Sequence, residues 1–370
     1  MLPSLRFPVE QSQGRRYPEL PHPYRNEFQR DRDRIVHARA FRRLEDKTQV
    51  FTPGLHDHFR NRLTHTIEVS QVARTIAQTL GLNEELTESL ALVHDIGHPP
   101  FAHSGEEELD RQMQRFGERF DHNLHSLRIV ESFEQKYARF PGLNLTFETR
   151  EGIVKHSRDF EPGESEILDQ YRPGERPPLE AQIIDLADEI AYNTADLDDG
   201  FSAGLFGIED LIAEVPHYES LWESVDMQFA GASEAMRFHE ALRTLIDWLV
   251  TGLLEGTLAA VKDSGVAGVE DVRRYPSRLV VFTQASGQTN TALKNFLRTH
   301  VYYTPALTAE RMESAKQVGE LFQYYLDHPE QLPPRDGDDE PHRIVCDYIA
   351  GMTDGYFRRV YGNLIRSTPL

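Results

Sequence analysis

The chain has 370 residues, 39% of them hydrophobic, enough to bury one large core or a core with a smaller packed extension. Its formal charge of −20 excludes a protein whose main business is coating nucleic acid or an anionic membrane. Its single cysteine, Cys346, excludes a disulfide framework and a thiolate zinc cluster, so any metal must sit on imidazole and carboxylate.

The N-terminal stretch MLPSLRFPVEQSQGRRYPEL lacks the apolar centre of a signal peptide, and no stretch reads as the roughly 18 uninterrupted apolar residues of a spanning helix. Both point to a cytoplasmic protein with no membrane. Charge is unevenly spread: residues 1–62 hold 13 Lys or Arg against 8 Asp or Glu, whereas the remainder holds 27 against 52. That basic segment suits either a local anionic ligand or a solvated arm.

Next, Ile67, Val72, Ile76 and Leu80 suggest one face of a helix that Gly81 closes. Asn83 then caps a second helix, which carries Leu86, Leu90 and Val93 to its end before Pro99 and Pro100. A Pro- and Gly-containing break at 161–178 precedes a third helix through AQIIDLADEIAYNTADL. After a weaker break near 262–275, SRLVVF at 277–282 is the one segment that reads as extended, and a last break falls at 328–341. The expected class is all-α, with at most a small β element near 277–282. The expected organisation is a basic arm and helix over 1–60, a metal-dependent core over 61–200, and a helical extension of the same globular unit over 201–370.

Four potential metal ligands fall at informative places on these helices. His65 is in the first turn of one, His94 and Asp95 end the next, and Asp188 lies within the third, on a stripe with Ile184, Ala191 and Ala195. A carboxylate on such an inward face is costly unless something positive meets it. Two imidazoles and two carboxylates suit Mn, Mg, Co, Fe or Zn. The run HDIGHPPFAHSGEE at 94–107 adds His98 and His103 around a turn forced by two prolines, with Glu106 three residues beyond His103. In a helix starting there, Glu106 reaches the His103 ring across one turn, the pairing a general acid or base needs.

His65, HDIGHPPFAHSGE and LADEIAYNTADLDDG together resemble the HD-domain superfamily, in its deoxyguanosine triphosphate triphosphohydrolase branch. RDRDRIVHARAFRRLEDKTQVF, NRLTHTIEVSQVAR, LNLTFETREGIVKHS and DYIAGMTDGYFRRVY resemble blocks of the same branch, in order, so the likeness covers nearly the whole chain. The resemblance implies a helical phosphohydrolase fold in which His65, His94, Asp95 and Asp188 hold one divalent ion, with His103 and Glu106 as the catalytic pair. It implies that Arg62 grips a triphosphate and that His98 and His122 line the phosphate-facing wall, although His122 can equally be a helix cap. It gives Tyr192 a phosphate contact, and Asp196 with Gln49 the 3′-hydroxyl of the sugar. Two departures stand out: Ala195 replaces a histidine of many bacterial relatives, and Glu189 replaces a phosphate-binding lysine of the mammalian ones, leaving Lys294, Arg343 or Arg358 to compensate.

The implied activity is hydrolysis of a deoxynucleoside triphosphate, dGTP or several dNTPs, to a deoxynucleoside and inorganic triphosphate. Implied partners are the dNTP substrate, an activator nucleotide, and further copies of the chain as a dimer or hexamer. The rival readings are another HD-type nucleotidase or phosphodiesterase, and a nucleotide-regulated protein that binds single-stranded DNA weakly through its basic segment.

Overall fold

A computed structural model of the chain describes residues 1–50, 60–333 and 339–366. Residues 51–59, within the expected N-terminal segment, and 334–338, within the expected break at 328–341, lie outside the described residues. The fold is helical. Among the described residues β pairing is limited to isolated bridges: Arg15 with Thr146, Thr48 with Asn61, Gln135 with Gly142 and Tyr137 with Phe140. The chain divides into two compact units, one formed by Met1–Ser12, Ile67–Ala91 and Lys155–Thr304, the other by Gln13–Thr66, Leu92–Val154 and Pro305–Leu370.

In the first unit the helices Leu179–Ser202, Glu234–Ser264 and Gln284–Leu297 pack on one another. They bury Ile183, Ile190 and Leu197 with Leu245, Leu249 and Leu253, and with Leu293 and Phe296. Each such side chain contributes about 1.5–3 kcal/mol when fully buried. Glu234–Ser264 is long and apolar enough to cross a membrane, with a mean hydropathy of 1.4 over 18 residues, which the sequence reading had not expected. It buries one face within this unit and carries Glu240, Arg243, Asp247 and Glu255 elsewhere along its length, the pattern of a core helix.

One expectation for this unit is refined and one corrected. SRLVVF is extended, as expected, but pairs with no strand among the described residues: the Leu279 and Val280 N–H groups donate to Gln182 Oε1, 2.8 and 3.3 Å, and the Val281 N–H to Thr257 Oγ1, 3.4 Å. Side chains on neighbouring helices thus satisfy the extended backbone that a partner strand would otherwise serve. Ile67 does not join the buried face of the helix Arg62–Leu80 but is 55% exposed. Five residues separate it from Val72, more than a turn, and the buried stripe instead runs through Val69, Val72, Ala73, Ile76 and Leu80. Asn83 does cap the helix Glu84–Val93, its Oδ1 accepting from the Leu86 N–H at 3.1 Å.

In the second unit the helices Ala102–Gln114, Pro305–Asp327, Pro341–Ala350 and Asp354–Tyr361 enclose a core of Leu109, Met113, Leu321, Phe322, Val345, Ile349 and Phe357. Much of the basic N-terminal charge is committed here. Arg15 pairs with Glu27 at 2.7 Å and Asp31 at 2.6 Å, Arg30 with Glu27 at 2.8 Å, and Arg34 with Glu19 at 2.6 Å. Arg15 and Arg34 are thereby occupied in holding the helix Glu27–Val36 against the segment before it, while Arg30 and Glu27 pair within the helix.

Candidate active site

The motif 94–107 folds as its composition demands. The helix Glu84–Val93 ends at the His-Asp pair, and the chain turns with the His98 N–H donating to the Asp95 carbonyl at 3.2 Å. Gly97 is required because a Cβ there would overlap the His122 carbonyl and the Ser126 N–H of the helix His122–Arg128. After Pro99 and Pro100, two non-glycine residues, Phe101 (φ 64°) and Ala102 (φ 53°), adopt the left-handed conformation and start the helix Ala102–Gln114. Each costs about 1–3 kcal/mol, so the surroundings must impose it. Gly105 lets that helix close onto the turn, since a Cβ would overlap the Pro100 carbonyl.

These turns gather most of the expected residues in the second unit, with Asp95 at the centre. Its Oδ2 is 2.6 Å from Arg62 Nη1 and 3.9 Å from His65 Nε2, while its Oδ1 is 3.5 Å from His94 Nε2 and 3.0 Å from His98 Nδ1. The His65 and His94 ring centroids are 5.8 Å apart. Burial opposes the Asp95 charge, but His98, Arg62 and His94 hold its carboxyl well below the usual carboxylate range. Donors about 2.1 Å from a shared ion stand about 3–3.5 Å from one another. Two imidazoles and a carboxylate, buried together without a thiol, are a donor set whose chemistry suits a divalent cation, although His65 stands farther from Asp95 than that spacing.

Beside this set is a second group. Glu106 Oε1 accepts from the His122 ring at Nδ1, 2.7 Å, and from the His122 backbone N–H, 3.1 Å. The His122 ring stacks on His98 with centroids 3.9 Å apart, and His98 meets His103 edge-on at 6.0 Å. The one-turn pairing expected between Glu106 and His103 is therefore replaced by a tertiary pair between Glu106 and His122. His122 does not cap its helix; Asp121 does, accepting from the Leu124 N–H at 3.0 Å.

Protonation follows from these contacts. Burial would raise the Glu106 carboxyl, but its hydrogen bonds from His122 hold it far below its ordinary value. Burial likewise opposes charge on His122, yet the Glu106 carboxylate lifts that ring above the ordinary imidazole value. His103 is lowered, first by desolvation and then by the Arg62 guanidinium, although its side chain is exposed at the edge of the group. His98, buried against Arg62, is lowered further. The His122 ring is thus raised while the His98 and His103 rings are lowered, a separation of the kind that acid–base chemistry uses.

Of the other expected residues, Gln49 is half-buried in the second unit. Asp188, Tyr192 and Asp196 lie on the helix Leu179–Ser202 of the first unit, Asp188 half-buried and Asp196 buried. Tyr192 is pushed up by burial and by the neighbouring carboxylates Glu189, Asp188 and Asp196, which keeps its hydroxyl protonated. Tyr302 donates a hydrogen bond to Asp196. Glu189 pairs with Lys294 at 2.5 Å, so the acidic departure carries its own cation. Arg343 is engaged by Glu118, and Arg358 lies over the Phe101 ring at 5.4 Å.

Two residues at this site were not legible in the sequence. Lys47 is 3% exposed and donates from Nζ to the His98 carbonyl, and Asp354 is 5% exposed and accepts the Phe101 N–H at 3.1 Å. A lysine in LEDKTQ and an aspartate at a helix start read as ordinary surface charge, and only tertiary burial distinguishes them.

A model of the HD domain matches residues 62–193, and one of the phosphohydrolase-associated domain matches residues 280–363. Among curated proteins the chain is similar to relatives named deoxyguanosinetriphosphate triphosphohydrolase-like protein. One from Geobacter sulfurreducens is 43% identical, with 95% of this chain and 92% of the relative aligned. One from Azoarcus sp. is 44% identical over 95% and 93%, and one from Rhodopseudomonas palustris is 40% identical over 97% and 95%.

Proposed function

The chain belongs to the HD-domain phosphohydrolases, among the deoxyguanosinetriphosphate triphosphohydrolase-like proteins, and from that premise we propose that it hydrolyses deoxynucleoside triphosphates to deoxynucleoside and inorganic triphosphate. The observation that carries the reading is the Asp95-centred donor set beside a charged Glu106–His122 pair and a neutral His103. Together these are the equipment for attack of water on a phosphorus atom.

In this reading His65, His94 and Asp95, with Asp188 as fourth donor, hold a divalent ion, manganese or magnesium being the first to try. Such an ion, when bound, supplies charge neutralisation and water activation. Arg62 offers a guanidinium fork to phosphate oxygens, whereas the charge of Lys294 is taken up by Glu189. Tyr192, kept protonated, donates to a phosphate oxygen, while Asp196 and Gln49 hold the 3′-hydroxyl. His103, neutral at pH 7, is able to take a proton from water. The His122 imidazolium, fixed by Glu106 and stacked on His98, keeps positive charge beside the phosphate-facing wall. The reading also carries a cytoplasmic setting, assembly into dimers or hexamers, and an activating nucleotide.

The test is to incubate the protein with each dNTP, singly and mixed, with manganese or magnesium, and to identify the products by chromatography. Deoxynucleoside with intact triphosphate supports the proposal, and turnover only in mixtures exposes an activator. Monophosphate, diphosphate or no product overturns it.

A further inference from the structure

The last conspicuous motif, DYIAGMTDGYF at 347–357, has no role in the reading above, and its central aspartate is buried against the catalytic turn. Asp354 Oδ2 accepts from both the Thr48 N–H (3.0 Å) and the Thr48 hydroxyl (2.5 Å), and its Oδ1 accepts from the Phe101 N–H. One residue earlier in the N-terminal segment, Lys47 donates from Nζ to the carbonyls of His98 and, at 3.3 Å, Ala350. The Lys47 carbonyl in turn accepts the Arg62 N–H at 3.1 Å. The Phe101 ring is held edge-on by Phe357 at 4.9 Å and covered by the Arg358 guanidinium.

Two buried charges are a poor means of adding stability, because desolvation offsets most of what their contacts return. Their contacts here have a different effect. They fall on the two ends of the left-handed turn: His98 before the prolines, and Phe101 at the first positive φ. Non-glycine residues relax out of that conformation unless several contacts over-determine it. The helix that begins there carries His103 one residue beyond Ala102.

We propose that Lys47 and Asp354 are positioning residues, a clamp through which the C-terminal segment 350–358 sets the turn that presents His98 and His103. The proposal deepens the hydrolase reading and rests on it. Neither residue touches substrate; each acts by fixing backbone at 98–102, and Lys47 also ties that turn to the start of the Arg62 helix. A misplacement of about 1 Å at a reacting group can cost about 10²-fold in rate.

The test compares the full-length wild type with Asp354→Asn, whose amide N–H₂ would face either the two Thr48 donors or the Phe101 N–H, breaking one side of the clamp. Thr48→Val, which removes only the hydroxyl bond, is the milder second variant. Two readouts are taken: amide hydrogen exchange of the peptide spanning 98–106, and kcat and KM for nucleotide hydrolysis. In Asp354→Asn, exchange in that peptide should quicken by about tenfold or more, with the helix Glu234–Ser264 unchanged. The same variant should lose about 10²-fold in kcat with KM held within about threefold. Thr48→Val should move both readouts in the same direction by less. Tyr361→Phe, which removes a hydrogen bond to Glu320 from the same helix, should leave both readouts unmoved. Faster exchange with unchanged kcat would make Asp354 a structural tie only, and unchanged exchange would remove the clamp; either result overturns the proposal. Failure of the hydrolase reading shows in the wild type alone. If the wild type yields a product other than triphosphate, kcat is read on that product; if it hydrolyses no nucleotide, the positioning role falls with the reading.

Discussion

Replacing Glu106 with Gln tests the charged pair at the centre of the site without altering its shape. In the wild type one carboxylate oxygen accepts two N–H groups of the same residue, His122. Both side chains are about one-fifth exposed, so part of their attraction is screened. A hydrogen bond to a charged group contributes about 1.5–3 kcal/mol and a neutral one about 0.5–1.5. Glutamine keeps the geometry and loses the charge, a difference of about 1–1.5 kcal/mol before screening, and the His122 pKa should fall.

The sign of the pH dependence follows from the two directions. The Glu106 carboxyl is depressed, so its contribution is present above the ordinary carboxyl value and lost as pH falls through its lower folded value. His122 is raised, so its contribution is complete below the ordinary imidazole value and lost as pH rises through its higher folded value. The pair is therefore intact from below pH 4 to above pH 6.5, and the charged His122 sets an alkaline limb in the rate. Glu106→Gln should shift that limb of kcat/KM to lower pH and lower the plateau by about 10²-fold or more. The assay is a pH profile of triphosphate release with histidine titration followed by NMR. An alkaline limb that stays in place, with the His122 titration unmoved, would refute the reasoning.

Other substitutions probe the neighbouring parts. Gly97→Ala puts a methyl group against the backbone of His122 and Ser126, and should cost about 1–3 kcal/mol, seen as a lower Tm, together with a fall in kcat as the His98–His122 stack separates; an unchanged Tm and kcat would contradict the packing argument. His103→Ala should abolish turnover while metal content by elemental analysis stays near the wild-type value, and retained turnover would remove His103 from its role. Exhaustive chelation should stop hydrolysis and lower Tm, both restored by manganese or magnesium, whereas hydrolysis that survives chelation would contradict the divalent-ion assignment.

The residue types at the site were readable because metal and proton chemistry draw on few side chains, and their order along the chain follows the family pattern. What each residue touches was less readable. Nothing in the sequence singles out Gly97 and Gly105, and neither has a positive φ; each is small because another backbone passes against it. SRLVVF has strand composition, but Gln182 and Thr257 offer its N–H groups a nearer partner than any second strand. Lys47 and Asp354 were passed over because each is polar in a polar stretch, and their burial depends on segments some 300 residues apart in the chain.

Glu106 shows why local spacing misjudged a partner. An i,i+3 contact on one helix contributes about 0.2–0.5 kcal/mol, whereas a tertiary bond between a carboxylate and a charged ring contributes about 1.5–3. The helix His122–Arg128 delivers both a ring nitrogen and a backbone N–H to the same oxygen, so the tertiary partner wins. The consequence for chemistry is favourable. Had Glu106 bonded His103, that ring would have been raised and held as an imidazolium, unable to accept a proton at pH 7. With the carboxylate hydrogen-bonded to His122, its charge still raises His103 from a distance, but desolvation and Arg62 outweigh it and the ring is lowered. The same carboxylate thus raises the His122 ring most directly, while the His103 ring stays lowered.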